Sequence, residues 1–269
     1  MDTNNYNDMV ETSDDLLMPL PLTEEQIFLL DKEDLTVSST DDMVRRLYPE
    51  INIVPNTTGV IIPIIPGITL YGYIRFFHAY PTTTAVDIYV NGKLIAKNIL
   101  YRQFSEYYKA FPGFYRIAVY KAGERRTPIL LTFINIIGYR IYTAAIVTGN
   151  IAAKLQLIND SLRPLPKTSS FIRFAQLSAN APKQMDAYLD HNLVLEGMEY
   201  QDVSRYLTTG IGKHNLKFMD YFNGTVLVEE PNVRTEGGKA YTAYVIGNVN
   251  DRTGLQIIFA EEGISYLSF

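Results

Sequence analysis

From residue 71 onward, short runs of apolar and β-branched residues alternate with turn residues, a pattern of strands rather than helices. VDIYVNGKLIA (86–96) predicts a hairpin, because its apolar positions alternate on either side of Asn91-Gly92, a pair suited to a type I′ turn. FPGFYRIAVY (111–120) opens after Pro112-Gly113 with apolar residues on both faces. TPILLTFINII (127–137) and YRIYTAAIV (139–147) predict two further strands, with Gly138 at the turn between them.

The pattern then occurs a second time. YIRFFHAY (73–80) matches FIRFAQLS (171–178), and AVDIYVNGKLI (85–95) matches QMDAYLDHNLV (184–194). In one register, Asp87 falls on Asp186, Tyr89 on Tyr188, Tyr101 on Tyr200, Ser105 on Ser204, Tyr107 on Tyr206 and Gly113 on Gly212. GYRIYT (138–143) falls on GGKAYT (237–242), which pairs Tyr142 with Tyr241, and KLQLI (154–158) is matched to GLQII (254–258). One register over nearly the whole unit indicates duplication. Each unit holds about seven short strands, which predicts an all-β chain of two tandem antiparallel immunoglobulin-like β-sandwich domains; a closed barrel per unit is the alternative. The expected boundaries are a first repeat over 71–161, a Pro-containing polar linker over 162–170 and a second repeat over 171–269.

Residues 1–70 do not follow this pattern. Thr23-Glu24-Glu25-Gln26 has capping-box spacing, and residues 40–48 have acids in their first turn, arginines in their last and Pro49 as a stop, so two short helices are expected. The acidic extension over 1–50 is thus expected to be partly helical. Residues 51–70 carry no charge and contain Pro55, Pro63 and Pro66, which fits an extended segment on a sheet edge. It is either an edge strand or packing linker of its own domain, or a strand given to a neighbouring subunit. Ile51, Ile53, Val60, Ile61, Ile62, Ile64 and Ile65 make it the candidate assembly segment.

Charge sharpens this division. Residues 1–50 hold 13 Asp/Glu and 3 Lys/Arg, a net of −10, while the remainder holds 16 and 21, a net of +5. The arm is either a solvated tail or a strap for a neighbour's basic face. With no cysteine, disulfides, thiolate zinc sites and a cysteine nucleophile are excluded. The N-terminus lacks a basic stretch followed by an apolar one, and the longest apolar run, residues 60–70, is interrupted by two prolines. We therefore expect synthesis in the cytoplasm without a signal peptide, and no membrane span.

R-F-F-H-A-Y-P, A-V-D-I-Y-V-N-G-K-L, F-P-G-F-Y-R-I-A-V and Y-R-I-Y-T resemble the bacterial family catalogued as domain of unknown function 4397, over residues 73 to about 260 and as two copies. The first copy keeps His78, Pro81, Asp87, Tyr89 and Gly92; the second keeps Pro182, Asp186 and Tyr188 but has Gln176 for the histidine and His191 for the turn glycine. The resemblance implies an exported or envelope-associated protein with no established activity. The Ile-, Asn- and Tyr-rich usage also resembles that of low-GC Gram-positive bacteria, where a β-protein without a signal peptide would reach an exterior as a spore-coat or spore-appendage component freed by lysis.

Candidate chemistry is sparse. His78, His191 and His214 fall at three different repeat positions, so no metal or acid–base set is expected. Asp87 and Asp186 sit at the same position of separate domains and are read as ligands of backbone amides, not as a glycosidase pair. Gly210-Ile211-Gly212-Lys213 aligns with a β-turn rather than a phosphate loop, and the scattered cations argue against nucleic acid. His78, Asp87, Tyr89, Gly92, Gly113, Tyr142, Asp186, Tyr188, Gly212 and Tyr241 are therefore expected to be framework residues, with no catalytic, cofactor or metal site.

The expected function is that of a self-assembling structural protein of a bacterial surface layer, spore coat or filament. Its partner would be itself or other coat or envelope proteins, and its N-terminal segment would contact neighbours. The alternative is a carbohydrate or cell-wall binding module, resting on whichever of Tyr101, Tyr107, Tyr108, Tyr200 and Tyr206 are exposed rather than ordinary sandwich and rim residues. An enzyme with a site between the domains has no residues to support it.

Overall fold

A computed structural model describes residues 16–20, 71–82, 84–149, 152–162 and 165–267. The expected helices near 23 and 40–48 and the candidate assembly segment at 51–70 lie outside the described residues. Among the described residues the regular secondary structure is all strand except for one 3₁₀ turn at Gly263–Ser265.

The first repeat consists of β2 (Gly72–His78), β3 (Val86–Val90), β4 (Lys93–Ile99), β5 (Tyr108–Ala110), β6 (Gly113–Lys121), β7 (Leu130–Ile136), β8 (Ile141–Thr148) and β9 (Ala153–Asp160). The second consists of β10 (Ser170–Gln176), β11 (Met185–Leu189), β12 (Asn192–Met198), β13 (Leu207–Thr209), β14 (Gly212–Asp220), β15 (Val226–Thr235), β16 (Ala240–Gly247) and β17 (Leu255–Glu261). Each repeat is a sandwich of two sheets. In the first, β5-β2-β8-β9 faces β4-β3-β6-β7; in the second, β13-β10-β16-β17 faces β12-β11-β14-β15. A two-residue strand from the arm, β1 (Leu16–Leu17), extends the first sheet beyond β5.

Three details differ from the expectations drawn from the sequence. The sheets are not wholly antiparallel: β2 runs parallel to β8, and β10 to β16. With eight strands per repeat and β2 lying between β5 and β8, the order is not the ABED/CFG order of an immunoglobulin domain. The match of KLQLI to GLQII is also two residues out of structural register. Thr143 pairs with Ile158, and its counterpart Thr242 pairs with Ala260, so Asp160 corresponds to Glu262. A shift of two leaves each side chain on the same face, so hydrophobic alternation cannot detect it.

The four sheets stack with three apolar layers between them. One layer fills the first sandwich around Phe76, Ile88, Ile117 and Ile146, and another fills the second around Phe174, Leu216, Phe218 and Val245. The third lies between the repeats and joins Phe77, Ala145, Val147, Ala175, Tyr244 and Ile246. This explains why β2, β8 and β16 are apolar almost without alternation: one face packs into its own sandwich and the other onto the partner repeat.

Candidate functional site

The framework residues set the turns. Asn91 and Gly92 both have positive φ (51° and 85°), as a type I′ hairpin requires. Asp87 is buried and accepts from the amides of Asn98 (2.7 Å) and Gly123 (2.9 Å), two positive-φ residues whose conformation it fixes. Asp186 accepts from the amide of Gly197 (2.9 Å) in the same way. The hydroxyls of Tyr142 and Tyr241 accept from the amides of Ile137 and Glu236, which anchors the turn before each Tyr-Thr strand. Tyr89 packs edge-on against Tyr120 under the Arg125 guanidinium, and Lys217 sits over Tyr188. Gly113 and Gly212 share one unusual conformation, with φ of 143° and 142°.

His78 is fully buried. Its Nε2 lies 3.4 Å from the Thr84 carbonyl, and Nδ1 has no partner among the described residues. Burial pulls its pKa below the ordinary 6.5, against a smaller opposing effect of the Thr84 carbonyl. A histidine held neutral in the fold gives stability that is full above its unfolded pKa and is lost as pH falls toward its folded value. His78→Gln, the residue of the second repeat, should therefore lose less stability than the unaltered chain between pH 7.5 and pH 5, as read by urea denaturation at both pH values.

Two arrangements were not foreseen from the sequence. The first is a buried polar network between the repeats, related by their internal symmetry. Arg75 Nε donates to Thr143 Oγ1, and Arg173 Nε to Thr242 Oγ1. Those hydroxyls donate to Asp160 and Glu262, as do Tyr107 and Tyr206 respectively. The halves are tied across the boundary: Arg173 Nη2 lies 2.6 Å from Asp160 and 3.0 Å from Glu262, while Arg75 Nη1 donates to the Glu261 carbonyl (2.9 Å). Both carboxylates are wholly buried. Burial, then the Glu262 charge, push the Asp160 carboxyl up to about 6 despite the two guanidiniums. Two cations thus offset two anions, each hydrogen-bonded, which is the condition for tolerating buried charge. The repeats are welded by directed contacts as well as by an apolar layer. The signal was present, since Arg75/Arg173, Tyr107/Tyr206 and Thr143/Thr242 coincide on the repeat register; the shifted β9 alignment hid their acidic partners.

The second arrangement is a groove at the β5 edge of the first repeat, occupied by residues 16–20. β1 pairs with β5 in parallel, the Phe111 amide donates to the Leu17 carbonyl (3.1 Å) and the Leu20 amide to the Phe114 carbonyl (2.8 Å). Leu17 joins the sandwich core and is 7% exposed. Asn91 Nδ2 donates to the Met18 carbonyl (2.7 Å), and the Tyr115 hydroxyl is shared between the carbonyls of Leu17 and Phe111. Pro19 lies against Gly113 so closely that a Cβ there would fall 2.4 Å from its own. Gly113 thus admits the arm as well as forming a turn.

In the second repeat no described residue occupies the same corner. Nothing among the described residues lies within 4 Å of a Cβ built on Gly212, and neighbouring Ile211 is 54% exposed. Asp190 stands in the place of Asn91 and offers no donor. His214 stands in the place of Tyr115, with Nε2 3.1 Å from the Gly210 carbonyl and Nδ1 3.0 Å from Asp190. The groove chemistry that holds the arm is therefore particular to the first repeat.

The tyrosines on which the carbohydrate reading rested are half-buried. Tyr107 and Tyr206 serve the network, Tyr108 donates to the Ile95 carbonyl and Tyr200 to that of Thr148, and the Tyr101 hydroxyl is buried. Among the described residues, no group of three or more His, Asp or Glu side chains is placed to hold a metal ion, and no helix is long and apolar enough to cross a membrane.

Fold and site together define a tandem β-sandwich protein with two welded repeats and an edge groove filled by its own N-terminal segment. The sequence model of the family described as "Domain of unknown function (DUF4397)" matches residues 72–184 and 182–262, and the chain belongs to that family. No curated protein matches it. Among solved structures it is similar to the family CBM26 module CBMbc of Eubacterium rectale Amy13K, crystallised with maltoheptaose, at 11% identity and a TM-score of 0.25. That similarity covers 72% of this chain and 99% of the module.

Proposed function

We propose that the protein is a self-assembling structural subunit of a bacterial surface layer, spore coat or filament, with a building role rather than a catalytic one. The observation that supports this is the contrast between the outer edges of the two repeats.

Among the described residues β7 is the last strand of its sheet, and it carries no charge from Leu130 to Ile137. On its outer face Leu131 is 56% and Phe133 51% exposed, and Ile137 follows at 55%. Such an edge is a template for pairing with another chain. β15, its counterpart, is protected by the devices that prevent pairing. Leu131 lies opposite Ala118, whereas the corresponding pair in the second repeat is Glu229 opposite Lys217. Pro231 removes an edge amide, and the register shifts between His214 and Leu216 as a bulge at Pro231-Asn232, with Asn232 at φ 61°. The same scaffold carries a guarded edge and an open one, so the open edge is not a by-product of the fold.

Replacing Leu131 and Phe133 together with lysine leaves the buried positions of β7 intact and places charge on the open edge. Light scattering of the full chain at rising concentration should show association for the unaltered protein and loss of most of it in the double variant. Equal association in both would remove β7 as the contact.

A further inference from the structure

We propose that residues 16–20 are an exchangeable docking strand, which in the assembled state sits in the first-repeat groove of a second copy of this chain. This rests on the self-assembly reading and names how one copy engages the next.

The groove is shaped for an incoming strand. Its contacts to residues 16–20 are main-chain pairing along β5 and at Phe114, a buried Leu17, donors from Asn91 and Tyr115, and the hollow that Gly113 leaves for Pro19. Each is made by the docked segment itself, so the groove accepts the same five residues equally well from its own chain or from another. Between Leu20 and Tyr71 lie residues 21–70, whose fully extended length is at most about 170 Å, several times the width of a sandwich domain. Covalent connection therefore does not require docking within one molecule. Exchange keeps every arm–groove contact, so the balance is set by contacts elsewhere, such as those of β7, that bring a neighbour's groove within reach. This is the energetic logic of segment swapping.

Stoichiometry follows from the difference between the repeats. Asp190 replaces the Asn91 donor, and the His214 ring is engaged by Asp190 and the Gly210 carbonyl, so the second repeat does not offer an equivalent seat. Each molecule then has one donor strand and one acceptor groove. A contact between two different surfaces of the same molecule propagates head to tail, into a ring if the rotation closes and into a filament if it does not. The same contacts made within one chain would leave a closed monomer. In both cases β1 covers the edge of β5, which would otherwise expose its backbone groups.

The absence of native cysteine makes a direct test available. Leu20 and Phe114 are cross-strand partners in an isolated bridge, and neither side chain makes a hydrogen bond. Full-length Leu20→Cys and full-length Phe114→Cys, distinguished by a tag, are mixed at a concentration at which light scattering shows oligomers, then oxidised and separated without reductant. The expected result is a covalent heterodimer well in excess of either homodimer, and a ladder of covalent multimers from the chain carrying both substitutions. Adding Asn91→Asp to the acceptor removes the donor to Met18 while keeping the acceptor for the Arg116 amide, and should cut the heterodimer several-fold. The proposal is overturned if the doubly substituted chain closes only on itself and the mixture yields no heterodimer. Oligomers still seen by scattering would then leave assembly standing through other contacts, while their absence would remove both. A heterodimer unaffected by Asn91→Asp would also overturn it, because the link would not run through the groove.

Discussion

Replacing Arg173 with alanine should destabilise the protein by about 3–5 kcal/mol, the usual cost of removing one partner from a buried ion pair. Arg173 is the cation that reaches both Asp160 and Glu262, and its removal leaves two wholly buried carboxylates without that charge. It also donates to Thr242 and to the Asn159 carbonyl, so four polar groups lose a partner together. Arg75→Ala should cost less, because Arg75 donates to a hydroxyl and a carbonyl, both of which lose less when unpaired than a carboxylate does. The loss should be visible as more than a shift of midpoint. The network joins the repeats, so denaturant unfolding of Arg173→Ala should separate into two transitions where the unaltered chain shows one. Replacing Arg173, Asp160 and Glu262 together with apolar residues of similar volume should restore much of the stability. If Arg173→Ala unfolded at the same denaturant concentration as the unaltered chain, the network would not be what welds the repeats.

Asp87→Ala carries the second large effect, about 2–4 kcal/mol from two charge-assisted hydrogen bonds and the two amides left without them. The carboxylate spans Asn98 on β4 and Gly123 beyond β6, so its loss loosens both neighbours of β3 at once. Asp186→Ala, which gives up one bond to Gly197, should cost about half as much. Equal losses for the two, measured by chemical denaturation, would contradict the assignment of Asp87 as a double clamp.

What was legible in the sequence, and what was not, follows the range of the interactions involved. The hairpin at Asn91-Gly92 is a local matter of two residues at positive φ, and it could be read directly. The duplication was legible because Asp87/Asp186, Gly113/Gly212 and Tyr142/Tyr241 each answer a backbone requirement that recurs in both units. The parallel pairing of β2 with β8 joins strands more than sixty residues apart, and nothing in either strand marks its partner. β1 is two leucines in an acidic stretch, too short to show a period, and its position is explained by the β5 edge, the Gly113 hollow and the donors from Asn91 and Tyr115. Arg75 and Arg173 sit in strands whose outer faces pack on the other repeat. Their burial depends on how two domains meet, which hydrophobic alternation within one domain does not encode.

The β7 edge and the arm groove lie at different strands of one repeat; in the other the edge is altered, and no described residue fills the corresponding corner. That asymmetry is the basis for the proposed building role of this chain. Sedimentation velocity of the unmodified full-length protein over a hundredfold range of concentration tests it most directly. The account predicts a weight-average mass that rises with concentration beyond that of the 30.5 kDa chain. A mass that stays at the monomer value across the whole range would contradict it.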